Sequence, residues 1–571
     1  MATTQMEGKR TRLERRHNAL KTERDSWRAH WSDLSKHMLP RNGRFFIDDR
    51  NRGDRRHNNI YDNTATSAVR INAAGFMSLS SSPASQWFRM STGNPKLNQR
   101  HDVKLWLDEV NDILAAILQR SNAYDVLHSM YEERSLFGTA CALMLPDFEN
   151  VIRLYMFTIG QYSISADARG TVNTMFREFQ MTVAQLVREF DFTNCSVNVQ
   201  QMWNHGAHDT WVSVVHAIEP RDEQDRETGR VDNLNMAWKS VYFEFGAPHE
   251  KFLREGGFNQ FPVLAPRYAV VGEDIYGHSP GMEALGDVRQ LQHQQLRKAE
   301  AIDFQTKPPM QAPMSLRNRE VDMMPGGLTF VDSASPQAGV RNMFETRLDL
   351  NHLAQDMNEV RRRIQASFSV DAFLMISNSD DPQKTATEIF ERREEKFMVL
   401  GPVVSRQAKE LHKPLILRTF EIAVEAGLIP PAPVDAQDRE IEVEFTSILA
   451  QAQRASRITP IDRWVGAMGV ISQIPGKEDV VDKLNSDEWA DTYSDLVGVP
   501  PRLVAGEEQV QALRDARNRA AAAQQQAQVL REAASGVKDL QQAAAAVGEP
   551  APTSAPVDPG SPTDGLAALG L

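Results

Sequence analysis

The one arrangement in this chain whose residue types could carry covalent chemistry is Gly277-His278-Ser279-Pro280-Gly281, which fits the G-x-S-x-G pattern of a serine nucleophile. A nucleophile elbow needs a hydrophobic strand running into the serine, and here the polar stretch GEDIYGH precedes it. Pro280 also removes the backbone N–H that would complete an oxyanion hole directly after Ser279. The local chemistry reads better as a helix start, with Ser279 at the N-cap and Pro280 at the first helical position. Other catalytic patterns are missing: there is no phosphate-binding G-x-x-x-x-G-K-[ST], no H-E-x-x-H, and no metal-spaced set among 14 His and 2 Cys. Asp380-Asp381 and Glu394-Glu395 could hold a divalent ion, but adjacent acids on a helix or loop are more often a solvated face. No metal and no cofactor is expected.

The elements around that motif form a distinctive succession. Pro280 to Phe304 predicts a polar, Gln-rich helix with few large apolar side chains, too polar to bury a broad stripe in a monomer. Up to about Glu345 follows an insert whose many Pro and Gly, among them Pro308, Pro309, Pro325, Gly326 and Gly327, favour a compact turn-rich lobe. Leu350, Leu353, Met357, Val360, Ile364 and Phe368 then recur at three and four, an amphipathic helix with Arg361, Arg362 and Arg363 mostly off its stripe. A polar, acidic loop is expected over Ser369–Lys384, and a long helix after it that Gly401-Pro402 and Pro414 should kink or interrupt.

Before this module, Leu13, Leu20, Trp27 and Leu34 repeat every seven residues, with Trp31 and Met38 beside them, so a helix up to Pro40 has one apolar face. It docks on its own domain or on a neighbouring subunit. Further helices are expected over Asn63–Leu79, around Trp106 to Ile117, and over Ala123–Leu136. Ala140 to Pro266 has the β-rich texture of CALML, VIRLYMF, TWVSVVHAI and WKSVYFEF, with a helix at Met181–Phe190. Glu440 to Phe445 alternates strictly and predicts a half-buried strand. Beyond Glu507 the Ala/Gln/Arg-rich run is helix-prone but poor in large apolar residues, and from Glu549 a Pro/Ser/Gly-rich tail follows. The class is mixed α/β, predominantly α-helical, and multidomain at 571 residues.

Net charge is −12, which argues against a protein that grips duplex DNA non-specifically. It is unevenly spread: residues 1–56 hold 15 Lys and Arg against 8 Asp and Glu, a local +7, which leaves −19 on the rest. Cys141 and Cys195 are too few for a disulfide framework, and a reducing compartment is the simpler assumption. Neither a signal peptide nor a membrane span is expected.

These residues resemble the head-to-tail connector, or portal, proteins of short-tailed bacteriophages. The features that carry the resemblance are GEDIYGHSPG (272–281), KPP (307–309), PGG (325–327) and KTATEIFERREEKFMVLGPVVSRQAKELHKPLI (384–416). YDNTATSAVRINAAGFMSLSSSPASQWFRM and IEVEFTSILAQAQRA support it, and the match covers roughly Asn18 to Val510. It implies a homo-oligomeric ring of about twelve copies at one capsid vertex, a non-enzymatic conduit through which double-stranded DNA is packaged and ejected. The mapping it implies is a wing over 1–279, first stem helix 280–304, clip 305–345, second stem helix 346–368, tunnel loop 369–384 and long wing helix 385–439. A crown over 440–506, a helical crown or short barrel over 507–548 and a flexible tail over 549–571 complete it. DNA proximity is expected at Ser377, Asn378, Asp380, Asp381 and Lys384, with basic stem candidates Arg297, Lys298, Arg361, Arg362 and Arg363. Clip candidates for terminase or adaptor contact are Arg317, Arg319, Glu320 and Asp322. Implied partners are the major capsid protein and scaffold, the terminase large subunit and a tail adaptor, in a virion assembled in the host cytoplasm. The competing readings are a serine esterase built on Ser279, or another capsid-associated scaffold or adaptor.

Overall fold

The computed structural model describes residues 8–46, 53–98, 100–222, 232–246, 251–306, 310–311, 341–342, 350–377, 400–437, 441–445, 448–474, 482–497 and 501–546, with single residues 226, 230, 439 and 499. The chain divides into Met1–Val497 and Gly498–Leu571. It is mainly helical with small antiparallel sheets, the mixed class expected.

Helix α1 (Lys9–His37) buries Leu13 and Leu20 against Phe176, Val215 and Phe243, and Trp31, Leu34 and Met38 in the larger core. The heptad stripe is thus spent on its own domain. Helix α2 (Thr64–Ser80) lies at the centre, buried through Ala65, Ala68, Val69, Asn72 and Phe76. Strand β1 (Phe88–Ser91), α3 (Pro95–Asn98), α4 (His101–Arg120) and α5 (Ala123–Phe137) follow. Strands β2 (Cys141–Asp147) and β3 (Val151–Phe157) form a hairpin. Then come β4 (Tyr162–Ala166), β5 (Val172–Thr182), α6 (Val183–Phe190), α7 (Val197–Asn204), β6 (Trp211–Pro220), β7 (Trp238–Glu244), β8 (Arg254–Phe258) and β9 (Val263–Leu264). β9 joins the hairpin in the order β3-β2-β9, while β4 to β8 make a five-stranded meander. The helix expected from Met181 begins two residues later. Thr182 ends β5 and caps α6, its hydroxyl accepting from Gln185 N while Gln185 reaches back, a complete capping box.

Helix α8 (Pro280–Thr306) leads to the two-residue strands β10 (Met310–Gln311) and β11 (Arg341–Asn342), and α9 (Leu350–Ser367) returns. The expectation that α8 is too polar to bury a stripe fails for its first half. Met282, Ala284, Leu285, Val288 and Leu291 are buried with Met357, Val360, Ile364 and Phe368 of α9's stripe, in one core shared with α1 and α2. Each of these side chains larger than Ala284 stabilises the fold by roughly 1.5–3 kcal/mol.

The expected loop over 369–384 is corrected at its start. Ser369 turns the chain at φ +53° and α10 (Val370–Ser377) follows, because Val370 and Phe373 find apolar partners. Phe373 packs tilted against Phe76, with ring centroids 5.3 Å apart, and lies directly over Gly75, where a Cβ would come 2.1 Å from its ring. The long helix is described from 400 as α11 (400–407), a π-helical turn (Ala408–His412) and α12 (Lys413–Glu425). Pro414 sits at the start of α12, so the interruption falls in the wider turn before it, where a missing N–H and the ring's bulk are tolerated. Strand β12 (Glu442–Phe445) alternates as expected but pairs with β1, Phe88 opposite Phe445, so this stretch belongs to the first unit's core. Helices α13 (Ile448–Ser472) and α14 (Ser486–Val497) complete that unit. The second unit holds α15 (Glu507–Ala546), whose Leu513, Val529 and Leu530 are exposed.

Candidate functional site

Ser279 is 1% exposed, and its hydroxyl is committed twice: Oγ donates to Leu136 O at 2.7 Å and accepts from Met282 N at 3.2 Å. The second bond is the N-cap expected from sequence. The flanking glycines have a packing cause, since a Cβ on Gly277 would lie 2.2 Å from Gly138 O and one on Gly281 2.7 Å from Leu136 O. The G-x-S-x-G pattern is therefore a close joint between the end of α5 and the start of α8. Ser279→Ala is expected to cost about 1–2 kcal/mol in denaturant unfolding, through loss of a cap and a buried hydrogen bond. Intact protein should not be labelled by a fluorophosphonate; labelling at Ser279 would restore the esterase reading.

From this joint α8 and α9 run antiparallel as a hairpin. Arg363 meets Asp287 at 3.0 Å, Gln294 bonds Asp356, and further out Met310 pairs with Asn342 and Gln311 with Arg341. Partners descend along α9 as they ascend along α8, so helices and ribbon share one register. At its root the hairpin is clamped to the segment before α2. Gln292 accepts from Tyr61 N (2.6 Å) and Asp62 N (2.9 Å) and donates to Asp62 O (2.8 Å), while Arg361 places Nε and Nη2 at 3.1 and 2.7 Å from Asp62 Oδ2. Burial works to raise the Asp62 carboxyl, but bonds from Thr64 and Arg361 prevail and hold it below its usual value. Arg289 adds an ion pair to Asp33 of α1.

The basic candidates therefore divide. Arg361 and Arg363 are ion-paired within the chain, the first with Asp62 and the second with Asp287 and Glu359. Arg297 is exposed and paired with Glu300 one turn on, Lys298 is half-buried, and Arg362 is exposed. Ser377 is the last residue of α10. Asn378, Asp380, Asp381 and Lys384, the clip candidates Arg317, Arg319, Glu320 and Asp322, and Glu394-Glu395 lie outside the described residues. Sequence reasoning missed Gln292, whose signal was a polar residue inside an apolar stripe, and the acceptor role of Asp62 toward Arg361.

Buried polar groups elsewhere are architectural. Glu133 on α5 accepts from Thr158 Oγ1, Ile159 N and Asn42 Nδ2, while burial pushes it up to about 7 against those bonds. Arg134 beside it is wholly buried, its guanidinium 4.5 Å from the Phe76 ring centroid, and burial lowers it to about 10. Tyr131 bridges Ser81 and His412, and burial takes that imidazole down to about 3. Among the described residues no cluster could hold a metal ion, and no helix is long and apolar enough to cross a membrane.

The α8–α9 hairpin is thus rooted in the core by the Gln292 bonds and the Arg361–Asp62 pair. The family described as bacteriophage head to tail connecting protein matches residues 10–504. The chain belongs to that family. The probable portal protein of Bordetella phage BPP-1 is 52% identical over 498 residues, covering 87% of this chain and 89% of that one. The portal protein of Salmonella phage epsilon15 is 40% identical over 522 residues, covering 91% and 92%. Among solved structures, a gene transfer agent virion chain aligns over 82% of this chain and 99% of its own at 12% identity, with a TM-score of 0.34 too low to support a comparison of shape. Connector membership makes the chain a portal-type structural protein of the phage particle and not an enzyme.

Proposed function

We propose that this connector assembles as a ring of about twelve copies at one capsid vertex, lining a channel for DNA entry and exit. The observation that carries this is the α8–α9 hairpin. Its root is buried, whereas the distal half of α8 is largely exposed, with Ile302 and Phe304 open to solvent. Repetition around an axis would give those faces like neighbours. In this reading α8 and α9 belong to the stem, 305–345 is the clip, and 369–384, which begins with α10, is the tunnel segment ahead of the long wing helix over 385–439. The wing spans residues 1–279 with α11, α12 and β12, the crown begins after Phe445, and α15 supplies a helical barrel.

A bore that slides duplex DNA must avoid neutralising many phosphates, since counterion release would hold the duplex. With Arg361 and Arg363 engaged within the chain and Arg297 paired with Glu300, the sparse basic positions are Lys298, Arg362 and the exposed Arg297, to be taken together with Ser377, Asn378, Asp380, Asp381 and Lys384. The clip, with Arg317, Arg319, Glu320 and Asp322, would meet the terminase large subunit and later a tail adaptor. The wing would meet the major capsid protein and scaffold during assembly in the host cytoplasm. End-on class averages of purified protein by electron microscopy test the reading. Rings of about twelve subunits with a hole wide enough for duplex DNA support it; particles that stay monomeric or dimeric at all concentrations refute it.

A further inference from the structure

Two features at opposite ends of one strand are unexplained by the single chain. At the first, the β2–β3 hairpin turns through residues 148–150, with Asp147 opposite Val151. Phe148 at the tip is the most exposed large apolar side chain among the described residues, and it stands between Asp147 and Glu149. The tip is held rather than loose. Asp147 Oδ2 accepts from Asn150 N at 3.2 Å, and Val151 is fixed at φ +69°, a conformation unfavourable for a β-branched residue. A strained turn that presents a bare aromatic ring to water has no benefit inside one copy.

At the other end, just past β3, the turn at Gly160 and Gln161 forms one wall of a groove of about 470 Å³ between α1 and β5. Five basic side chains line it against two carboxylates; Lys21, Arg24 and Arg28 come from α1. Its apolar lining includes the exposed rings of Phe46 and Trp211, and the Arg28 guanidinium lies 5.3 Å from the Phe46 centroid. The knob is thus convex, acidic and aromatic, and the groove is concave, basic and aromatic. Seven residues of β3 separate them by about 23 Å, so a chain cannot fill its own groove with its own tip.

We infer that the Phe148 tip of one copy inserts into the groove between α1 and β5 of the next copy, with Glu149 and Asp147 facing the basic lining. The contact is head-to-tail, the type that closes into a ring when the rotation between copies permits. It rests on the ring reading above and names the surfaces that make it. A second copy fits better than duplex DNA, because a duplex offers its phosphates outward and keeps its bases stacked inside, with no apolar body to cover Phe46 and Trp211. The chain's own charge division, basic in residues 1–56 and acidic beyond, has the same sense.

Four variants of the full chain test this. Phe148→Ala removes only exposed atoms, so the circular dichroism and thermal midpoint of the monomer should be unchanged. The concentration needed for half-assembly of rings should rise roughly tenfold or more, as for a central anchor residue. Glu149→Lys should weaken assembly, and adding Arg28→Glu in the same chain should restore it. With Cys141 and Cys195 both buried, Glu149→Cys combined with Arg28→Cys should give an oxidised ladder of cross-linked copies. Rings that form as in the wild type from Phe148→Ala, with no ladder from the double cysteine, overturn the contact and leave the ring reading standing. A wild type that never forms rings overturns both.

Discussion

Gly138→Val is expected to yield little soluble folded protein. Gly138 closes α5 in the left-handed region at φ +81°, with its N–H on Arg134 O at 2.9 Å, and its own carbonyl accepts from Tyr268 N at 2.8 Å. A Cβ there would stand 1.9 Å from Gly277 O, a backbone atom at the root of α8 that cannot swing aside. Conformational strain of about 1–3 kcal/mol adds to overpacking of similar size, against a total stability of roughly 5–15 kcal/mol. Gly170→Ala is the control, since Gly170 has φ +75° with nothing within 4 Å and should cost about 1 kcal/mol. Soluble yield and thermal midpoint measure both; if the two variants melt alike, the close joint is not what fixes the hairpin root.

Arg267→Ala should lose about 3–5 kcal/mol in denaturant unfolding. Its guanidinium, almost wholly buried, binds Glu410 at 2.7 and 3.3 Å and also reaches Gly170 O at 2.6 Å, while its own N–H donates to Glu410 Oε2 at 2.8 Å. Removing the side chain leaves a largely buried carboxylate with only the backbone N–H of residue 267 at 2.8 Å and Arg406 at 3.4 Å. The pair ties the segment after β9 to the π turn, so the loss falls where the long helix meets the sheet. Replacing both Arg267 and Glu410 with Met should recover most of the loss, because an ion pair taken out whole leaves no stranded charge. A single-variant loss below about 1 kcal/mol would show that the long helix is held by its apolar face alone.

How far the sequence could be read depended on whether the deciding partner was local. The α1 heptad, the α9 stripe, the capping at Ser279 and the alternation of β12 are patterns within a few residues, and each element formed. What β12 pairs with was not legible, because Phe88 lies far back in the chain and alternation names no partner. Arg361 looked like a free cation for the same reason, since Asp62 is 299 residues away. The burial of α8's first half was hidden by averaging: its Gln and charged residues crowd the second half, so the whole helix read as polar. The sequence of α10 reads as loop because the acidic stretch after Ser377 colours the apolar run before it.

The π turn at Ala408–His412 bears on the length of the chain rather than on its side chains. Five residues there span what an α-helix covers with four, so the turn holds one residue in surplus. Loss of exposed Lys409 would leave the faces of α11 and α12 directed as before, Leu411, Leu415 and Ile416 still inward. The same loss inside α12 would rotate everything beyond it by about 100° and turn Ile422 and Ala423 out of the core. Among the described residues of this helix, register is negotiable at that turn, which itself carries the Glu410 of the Arg267–Glu410 tie.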